Sequence, residues 1–361
     1  MLQLLKYKIY FYNIKIFNKT YLIMKQLIVE YVWIDGDNNL RSKGKTFSFD
    51  CEKSVYITVL IDNIPEWNYD GSSTNQAFGE NSEIILKPQV LYKCPFRKEN
   101  NYITLCDTYD INNKPLLNNH RYNASKIFSK NIIEEPWFGI EQEFFMIDNN
   151  TNKPLDTTMT EIGNHYCGVG LHYTSRKIID EHYDACIYMD LDISGINAEV
   201  ALGQWEYQIG PTTGLKAADQ HWISRYIIQR IAEKYNVSID FSPKPIKGNI
   251  NGSGCHTNFS TKYMREEGGL DIIYDSIKKL SYKHDEHMEV YGINNEHRMT
   301  GLNETASYNT FSSGVGSRSS SIRIPTSTFN NKCGYFEDRR PGANMDPYIV
   351  TSKLFETTVL N

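Results

Sequence analysis

Short stretches of this chain alternate apolar and polar residues with a period of two. A few longer ones repeat apolar residues every three or four positions. Gln26 to Trp33 alternates and then meets Asp35-Gly36-Asp37-Asn38-Asn39, a run of turn formers, so a strand ending in a tight turn is expected. Further strands are expected over Val55–Ile61 and Ser82–Tyr92, giving a small β-rich domain over residues 25–110. Pro115 to Asn118 is polar and loop-like. Beyond it the pattern predicts a helix over Asn119–Asn131, a strand through Glu141 and Glu143, and helices over Lys177–Tyr188 and Ala217–Tyr235. Gly203, Gly210, Gly248, Gly252, Gly254, Gly314 and Gly316 punctuate the strands between them. The fold class expected is α+β: a small N-terminal β domain, then a large α+β domain over residues 111–361 built on a curved antiparallel sheet.

A length of 361 residues favours two domains and leaves ample chain for a core. Hydrophobic residues at 40% and charged residues at 22% are ordinary for a soluble globular protein. A net charge of −5 supplies no general attraction for nucleic acid or an anionic membrane, so neither is expected as a partner. The seven cysteines are odd in number and scattered, with no Cys-x-x-Cys. That pattern predicts a reduced, cytoplasmic protein with neither a disulfide framework nor a zinc site.

Residues 1–24 differ from the rest, being built of Ile, Lys, Tyr, Leu, Phe and Asn. Lysines interrupt them too often for a membrane span. They lack the Arg and Ser bias of a transit peptide and any small-residue cleavage site. Their composition is that of translated AT-rich DNA upstream of a start at Met24, so an extra or non-native extension is expected. An added structural segment and a targeting signal are the other two readings.

Gly139-Ile140-Glu141-Gln142-Glu143-Phe144-Phe145 places two carboxylates two residues apart in an apolar run. Residues two apart share one face of a strand, so Glu141 and Glu143 sit side by side and half-buried. Like charges that close repel, and burial raises the cost. One carboxylate must take up a proton, or a cation must lie between them. A lone Glu-x-Glu is ordinarily a solvent face, but these neighbours are apolar. Asn197-Ala198-Glu199-Val200 and Gln204-Trp205-Glu206-Tyr207 flank Ala201-Leu202-Gly203 as in a hairpin, which could bring Glu199 and Glu206 onto one face.

Asn251-Gly252-Ser253-Gly254-Cys255-His256 adds an imidazole beside two glycines that allow close backbone approach. Lone histidines are more often structural, but many carboxylates with one imidazole would suit Mg²⁺ or Mn²⁺ better than zinc. Arg298, Arg318, Arg323, Arg339 and Arg340 follow. Guanidinium groups near metal-binding carboxylates make sense where phosphates are handled, whereas singly they most often form surface ion pairs. No Walker motif occurs, no Gly-x-Gly-x-x-Gly follows a strand, and no Gly-x-Ser-x-Gly elbow is present. Any nucleotide would be held by metals and arginines.

These residues fall into an ordered set of motifs. They are Tyr31-Val32-Trp33-Ile34-Asp35-Gly36, Glu66-Trp67-Asn68-Tyr69-Asp70-Gly71-Ser72-Ser73-Thr74 and Pro136-Trp137-Phe138-Gly139-Ile140-Glu141-Gln142-Glu143. Asn197-Ala198-Glu199 with Gln204-Trp205-Glu206, Asn251 to Asn258, Arg298-Met299-Thr300-Gly301 and Gly334 to Pro341 complete the set. In that order, from Tyr31 almost to the C terminus, the chain resembles glutamine synthetase of the eukaryotic type (class II).

The resemblance implies a β-grasp domain followed by a catalytic α+β domain. It implies rings, a decamer of two stacked pentamers, in which the small domain of one subunit completes the site of the next. It implies ATP, L-glutamate and ammonium as substrates, joined through a γ-glutamyl phosphate, with two or more Mg²⁺ or Mn²⁺ ions per site. By the same resemblance Glu143, Glu199 and Glu206 hold one ion, and Glu141, His256 and Glu337 hold another. Asp70, Glu304 and Arg339 take catalytic roles. Tyr166, Gly252, Arg298 and Arg318 bind substrate. Trp137, Pro211, Asn258, Ser260, Arg323 and Tyr335 surround ATP.

The chain departs from the family at Asn303, where histidine is usual, and at Ser317 and Ser319 around Arg318. Between Asp148 and Tyr166 a Gly- and Pro-rich run is largely missing, and Asn164-His165 precedes Tyr166 in place of Gly-Pro-Tyr. Two alternatives stay open on these grounds: a ligase that joins glutamate to another amine, and a catalytically dead ring protein with a scaffolding role.

Overall fold

In the computed structural model, which describes residues 22–52, 59–156, 165–169 and 174–361, β1 (Leu22–Ile34) turns Leu27, Val29, Tyr31 and Trp33 to one face, and all four are buried. The period-two pattern is thus the imprint of a core on one side of a strand. The chain divides into two compact units, Met1–Tyr122 and Asn123–Asn361.

The first unit is a five-stranded sheet of β1, β2 (Leu40–Glu52), β3 (Trp67–Asp70), β4 (Glu83–Lys93) and β5 (Tyr102–Tyr109), in the order β2-β1-β5-β4-β3. β1 and β5 are parallel and the other pairs antiparallel. The turn after β1 forms because Asp35 Oδ1 accepts from the N–H groups of Asp37 at 2.9 Å and Asn39 at 2.8 Å. The strand expected over Val55–Ile61 falls mostly on residues outside the described set, and Ile61–Asn63 is a single 3₁₀ turn. Residues 1–21 also lie outside that set, while Leu22, Ile23 and Met24 continue β1 opposite Glu52, Cys51 and Asp50.

The second unit begins inside α1 (His120–Phe128) and carries β6 (Trp137–Asp148), β7 (Lys153–Pro154), α2 (Thr174–Tyr188), β8 (Ile193–Ala198) and β9 (Gln204–Thr213). Then come α3 (Gly214–Glu233), β10 (Val237–Asp240), β11 (Cys255–Ser260), α4 (Lys262–Arg265), α5 (Gly269–Tyr282) and α6 (His284–Met288). The rest is β12 (Ser313–Val315), β13 (Ile322–Ile324), α7 (Thr326–Asn331), β14 (Phe336–Asp338) and α8 (Pro347–Phe355). Its curled sheet runs β12-β13-β14-β11-β6-β9-β8, with β7 and β10 paired to the far end of β6. All pairs are antiparallel except β12 with β13.

β6 is the central strand, and its two faces differ. Phe138, Ile140 and Phe144 are fully buried on one face, each contributing about 1.5–3 kcal/mol by burial. α3 packs against β6 and β9, and Ala217, Ile223, Ile227 and Ile231 are among its buried residues. Between Glu141 and Glu143, Gln142 points to the core side. Its Oε1 accepts from His221 at 2.7 Å and Arg225 at 2.8 Å on α3. Arg225 also donates to the carbonyls of Met345 and Ala343, so one buried side chain ties β6 to the segment after β14. Among the described residues no helix is long and apolar enough to cross a membrane.

Candidate functional site

Strand register builds the site. On β6 the alternation that buries Ile140 and Phe144 turns Glu141 and Glu143 to the opposite face. Glu141 lies opposite His256 on β11 and Gln208 on β9, and Glu143 opposite Glu206 on β9. On β14, Glu337 lies opposite Asn258 on one side and Arg323 on the other. Glu199 is one residue past β8. Its N–H donates to the Gln204 carbonyl at 2.9 Å, so the expected hairpin continues through it. Five carboxylates and one imidazole from five strands therefore share one face of the sheet.

Glu141, His256 and Glu337 offer ligand atoms that all lie within 4.8 Å of one another. His256 Nδ1 is 3.5 Å from both a Glu141 oxygen and a Glu337 oxygen. Burial, with Arg339 nearby, pushes the His256 imidazole well below its usual range, so it is neutral at physiological pH and free to donate a lone pair. Burial raises Glu141 above the usual carboxylate range, although Asn258 Nδ2 donates to its Oε1 at 2.7 Å.

Glu143, Glu199 and Glu206 form the second group, and each is held by its own donors. Glu143 Oε2 accepts from Gln204 Nε2 at 3.0 Å and the Gly254 N–H at 2.9 Å. Glu199 accepts from Asn197 Nδ2 at 2.9 Å and the Val200 N–H at 3.3 Å. Glu206 Oε1 accepts from Gln208 Nε2. Burial first, then the neighbouring carboxylates, pushes Glu143 up to about 8 and Glu206 up to about 9. A face that can ionise fully only with a cation on it, supplied with carboxylate oxygens and one neutral imidazole, fits a hard divalent ion such as Mg²⁺ or Mn²⁺.

The five arginines divide by environment. Arg339 Nη1 lies 2.5 Å from Glu337 Oε1, and Arg323 Nη1 lies 3.2 Å from Glu337 Oε2. Arg318 is exposed, 3.9 Å from Glu304, and Arg339 also donates to the Glu304 carbonyl at 3.3 Å. Arg298 is buried and spans the carbonyls of Arg339, Arg340 and Pro341 through Nη2, with Nε on Asn295 Oδ1. Its Nη1 lies against Gly254, 2.9 Å from where a Cβ would stand. Burial lowers Arg298 to about 10, which leaves it cationic at neutral pH. Arg340 lies apart from the other four. It is fully buried and forked onto Asp338 at 2.7 and 2.9 Å, because alternation beyond β14 turns it inward.

Beside Glu141 opens a cleft of about 390 Å³ lined by Trp137, Pro211, Asn258, Ser260 and Tyr335, five of the six positions singled out for ATP. Arg323, the sixth, is not among its lining residues; it stands over Glu337 instead. The cleft wall adds Arg265, which the sequence reading did not single out. Its guanidinium lies 4.1 Å over the Trp137 ring, and Nη1 donates to Ser260 Oγ at 3.0 Å. A single arginine after a strand carries little sequence signal, and only the turn of α4 aims it back.

The remaining positions are set by loops. Gly252 is packed so tightly that a Cβ would stand 2.4 Å from the Pro243 carbonyl and 2.7 Å from Arg298 Cγ. Glu304 and Asn303 have φ of 61° and 51°, and Asn303 Nδ2 donates to Asn249 Oδ1 at 3.0 Å. Two consecutive left-handed non-glycine residues mark a strained loop tip. Tyr166 is exposed, with its hydroxyl raised above its usual range by partial burial. In the first unit Asp70 is exposed, and Ser72 donates to it through its hydroxyl at 2.8 Å and its N–H at 3.0 Å. Those bonds hold its carboxyl below the usual range, so it is an anion at neutral pH.

Residues 121–287 match the family model described as glutamine synthetase, catalytic domain. The chain is 49% identical over 344 residues to glutamine synthetase cytosolic isozyme 1-1 of Oryza sativa subsp. japonica, covering 93% of this chain and 95% of that one. It is 50% identical over 336 residues to glutamine synthetase of Saccharomyces cerevisiae, covering 92% and 89%. Among solved structures, the GmaS/ADP complex in conformation 1 superposes with a TM-score of 0.72 at 18% identity, covering 92% of this chain and 77% of that one, a likeness of fold.

Proposed function

The chain belongs to the glutamine synthetase family, and on that premise we propose that it joins ammonia to the γ-carboxylate of L-glutamate at the expense of ATP, giving L-glutamine, ADP and phosphate. The observation that carries the reading is the Glu141–His256–Glu337 cluster, which meets the cleft at Glu141.

Glu141, His256 and Glu337 would hold one divalent ion, and Glu143, Glu199 and Glu206 another, Mg²⁺ or Mn²⁺ by donor chemistry. When bound, such ions neutralise phosphate charge and orient it. The cleft formed by Trp137, Pro211, Asn258, Ser260 and Tyr335 would take the nucleotide. Arg323 and Arg339 flank Glu337, where a transferring γ-phosphoryl would need positive charge. Arg298 and Gly252 would seat glutamate, whose γ-carboxylate attacks that phosphoryl to give γ-glutamyl phosphate. Arg318 and Glu304, on facing loops, would cover the intermediate and exclude water, which matters because acyl phosphates hydrolyse. Ammonium must lose a proton before it attacks. Asp70, ionised and exposed, would attract and deprotonate it, with Tyr166 assisting. Assembly into rings and a cytoplasmic location accompany this reading.

The test is phosphate release from ATP with Mg²⁺, glutamate and ammonium, omitting each in turn, for the wild type and Asp70→Asn. Release that needs all three, falls about 10²–10⁴-fold in the variant and is matched by glutamine is the expected result. Release with glutamate that is indifferent to ammonium would indicate another amine as acceptor. No release from assembled, metal-loaded protein would sink the enzyme reading.

A further inference from the structure

We propose that Asp156, acting through His165 and Ser175, is a positioning hub that fixes Glu199 and Glu206 for cation binding. The inference rests on the reading above of those glutamates as metal ligands.

The side chains of Asp156 and His165 are 2% and 0% exposed. Asp156 Oδ1 accepts from the Thr174 N–H at 2.9 Å at the start of α2. Its Oδ2 accepts from the Ser175 hydroxyl and packs against the His165 ring, 3.8 Å from Nε2, a close contact longer than a hydrogen bond. From this carboxylate two arms reach the β8–β9 hairpin. On one, His165 Nδ1 lies 2.7 Å from the backbone oxygen of Glu199. A carbonyl only accepts, so Nδ1 carries the hydrogen. On the other, Trp205 Nε1 donates to Ser175 Oγ at 2.8 Å, and Trp205 immediately precedes Glu206. The two arms grip opposite limbs of one hairpin, each at or beside an acid.

The hub is itself anchored. The Leu155 N–H donates to Met146 O on β6 at 2.8 Å, and a Cβ on Gly203 at the hairpin turn would stand 2.8 Å from the Leu155 oxygen. The Cys167 N–H donates to Ala198 O at 3.0 Å, so the short piece bearing His165 and Tyr166 lies along the end of β8. Glu199 stands one residue past β8: its N–H still bonds the Gln204 carbonyl at 2.9 Å, while its own carbonyl faces His165 at 2.7 Å. The histidine supplies a donor to that carbonyl, on the residue that bears the acid.

A buried polar cluster that merely stabilises the fold would not tune cation affinity, whereas supports behind ligands typically change it 10–100-fold. The measurement is Mn²⁺ uptake by the full-length protein without nucleotide, followed by loss of the free-ion electron paramagnetic resonance signal, with melting temperatures alongside. No uptake by the wild type would defeat the metal-site reading itself. Given wild-type uptake, His165→Phe and Asp156→Asn should bind Mn²⁺ about tenfold more weakly. His165→Gln, whose amide can still donate to the Glu199 carbonyl, should stay within about threefold. Wild-type affinity in His165→Phe, or an equal loss in His165→Gln, overturns the proposal. If His165→Phe does not fold, Asp156→Asn decides, and unchanged affinity there overturns it.

Discussion

Glu206 shows how far one residue's chemistry was legible. An acid among Trp, Tyr and Ile in a two-residue period cannot be a solvent-face residue, and it is 7% exposed opposite Glu143. The elevated positions of Glu143, about 8, and Glu206, about 9, against an ordinary 4.5, have a sign that can be tested. Between those limits the folded protein holds protons that the unfolded chain has lost, so cation-free stability falls as pH rises. The cation-free protein should melt lower at about pH 8.5 than at about pH 6.5, and Mg²⁺ should raise the melting temperature more at the higher pH. Glu206→Gln should melt higher than wild type without cation at the higher pH and gain little from Mg²⁺; a melting temperature below wild type would contradict the repulsion argument. Gly252→Ala should raise KM for glutamate about ten- to hundredfold with KM for ATP nearly unchanged, because its Cβ would collide with Arg298 and not with the cleft wall. Steady-state kinetics with each substrate varied separately would decide it. Arg265 was not legible at this scale, since nothing in a lone arginine says that it will lie over Trp137.

Elements were legible where one face is buried. β1, β6, the β8–β9 hairpin, α2 and α3 all carry the period of the core they cover. β2 does not: its sequence reads Leu-Arg-Ser-Lys-Gly-Lys-Thr, its described side chains are exposed or half-buried, and only pairing with β1 makes it a strand. Arg340 shows the same limit from the other side. Adjacent arginines look alike in sequence, yet one step along the chain just past β14 sends Arg339 to Glu337 and Arg340 into the core with Asp338. Tyr291, His287 and Thr357 extend that buried pair toward the C terminus, with bonds of 2.8, 2.6 and 2.9 Å. Asp338→Asn strands a buried cation and should cost about 3–5 kcal/mol in urea unfolding. A loss under about 1 kcal/mol would mean that the network tolerates an unpaired Arg340.

At the scale of the molecule, length and the change of period along the chain lead to an expectation of two domains meeting near residue 110, and the chain divides into compact units between Tyr122 and Asn123. How copies assemble does not follow from them, because no residue pattern counts subunits. If each site takes Asp70 from one subunit and Arg339 from its neighbour, two inactive variants should complement each other. Asp70→Asn and Arg339→Gln, coexpressed in equal amounts, should recover about a quarter of wild-type activity, the random share of sites with both residues intact. Purified mixed assemblies that stay inactive would refute sharing.

β6 carries a constraint of a different kind. Its odd and even side chains serve two purposes: Glu141 and Glu143 face the carboxylates and imidazole of the neighbouring strands, and Gln142 looks toward Arg225. A substitution alters one purpose, but a deletion or insertion of one residue exchanges them, sending acids to the core and the amide to the cleft. The strand can therefore vary in spelling but not in letter count. Gene-length changes in this unit have to be accommodated before Trp137 or after Asp148, in the loops.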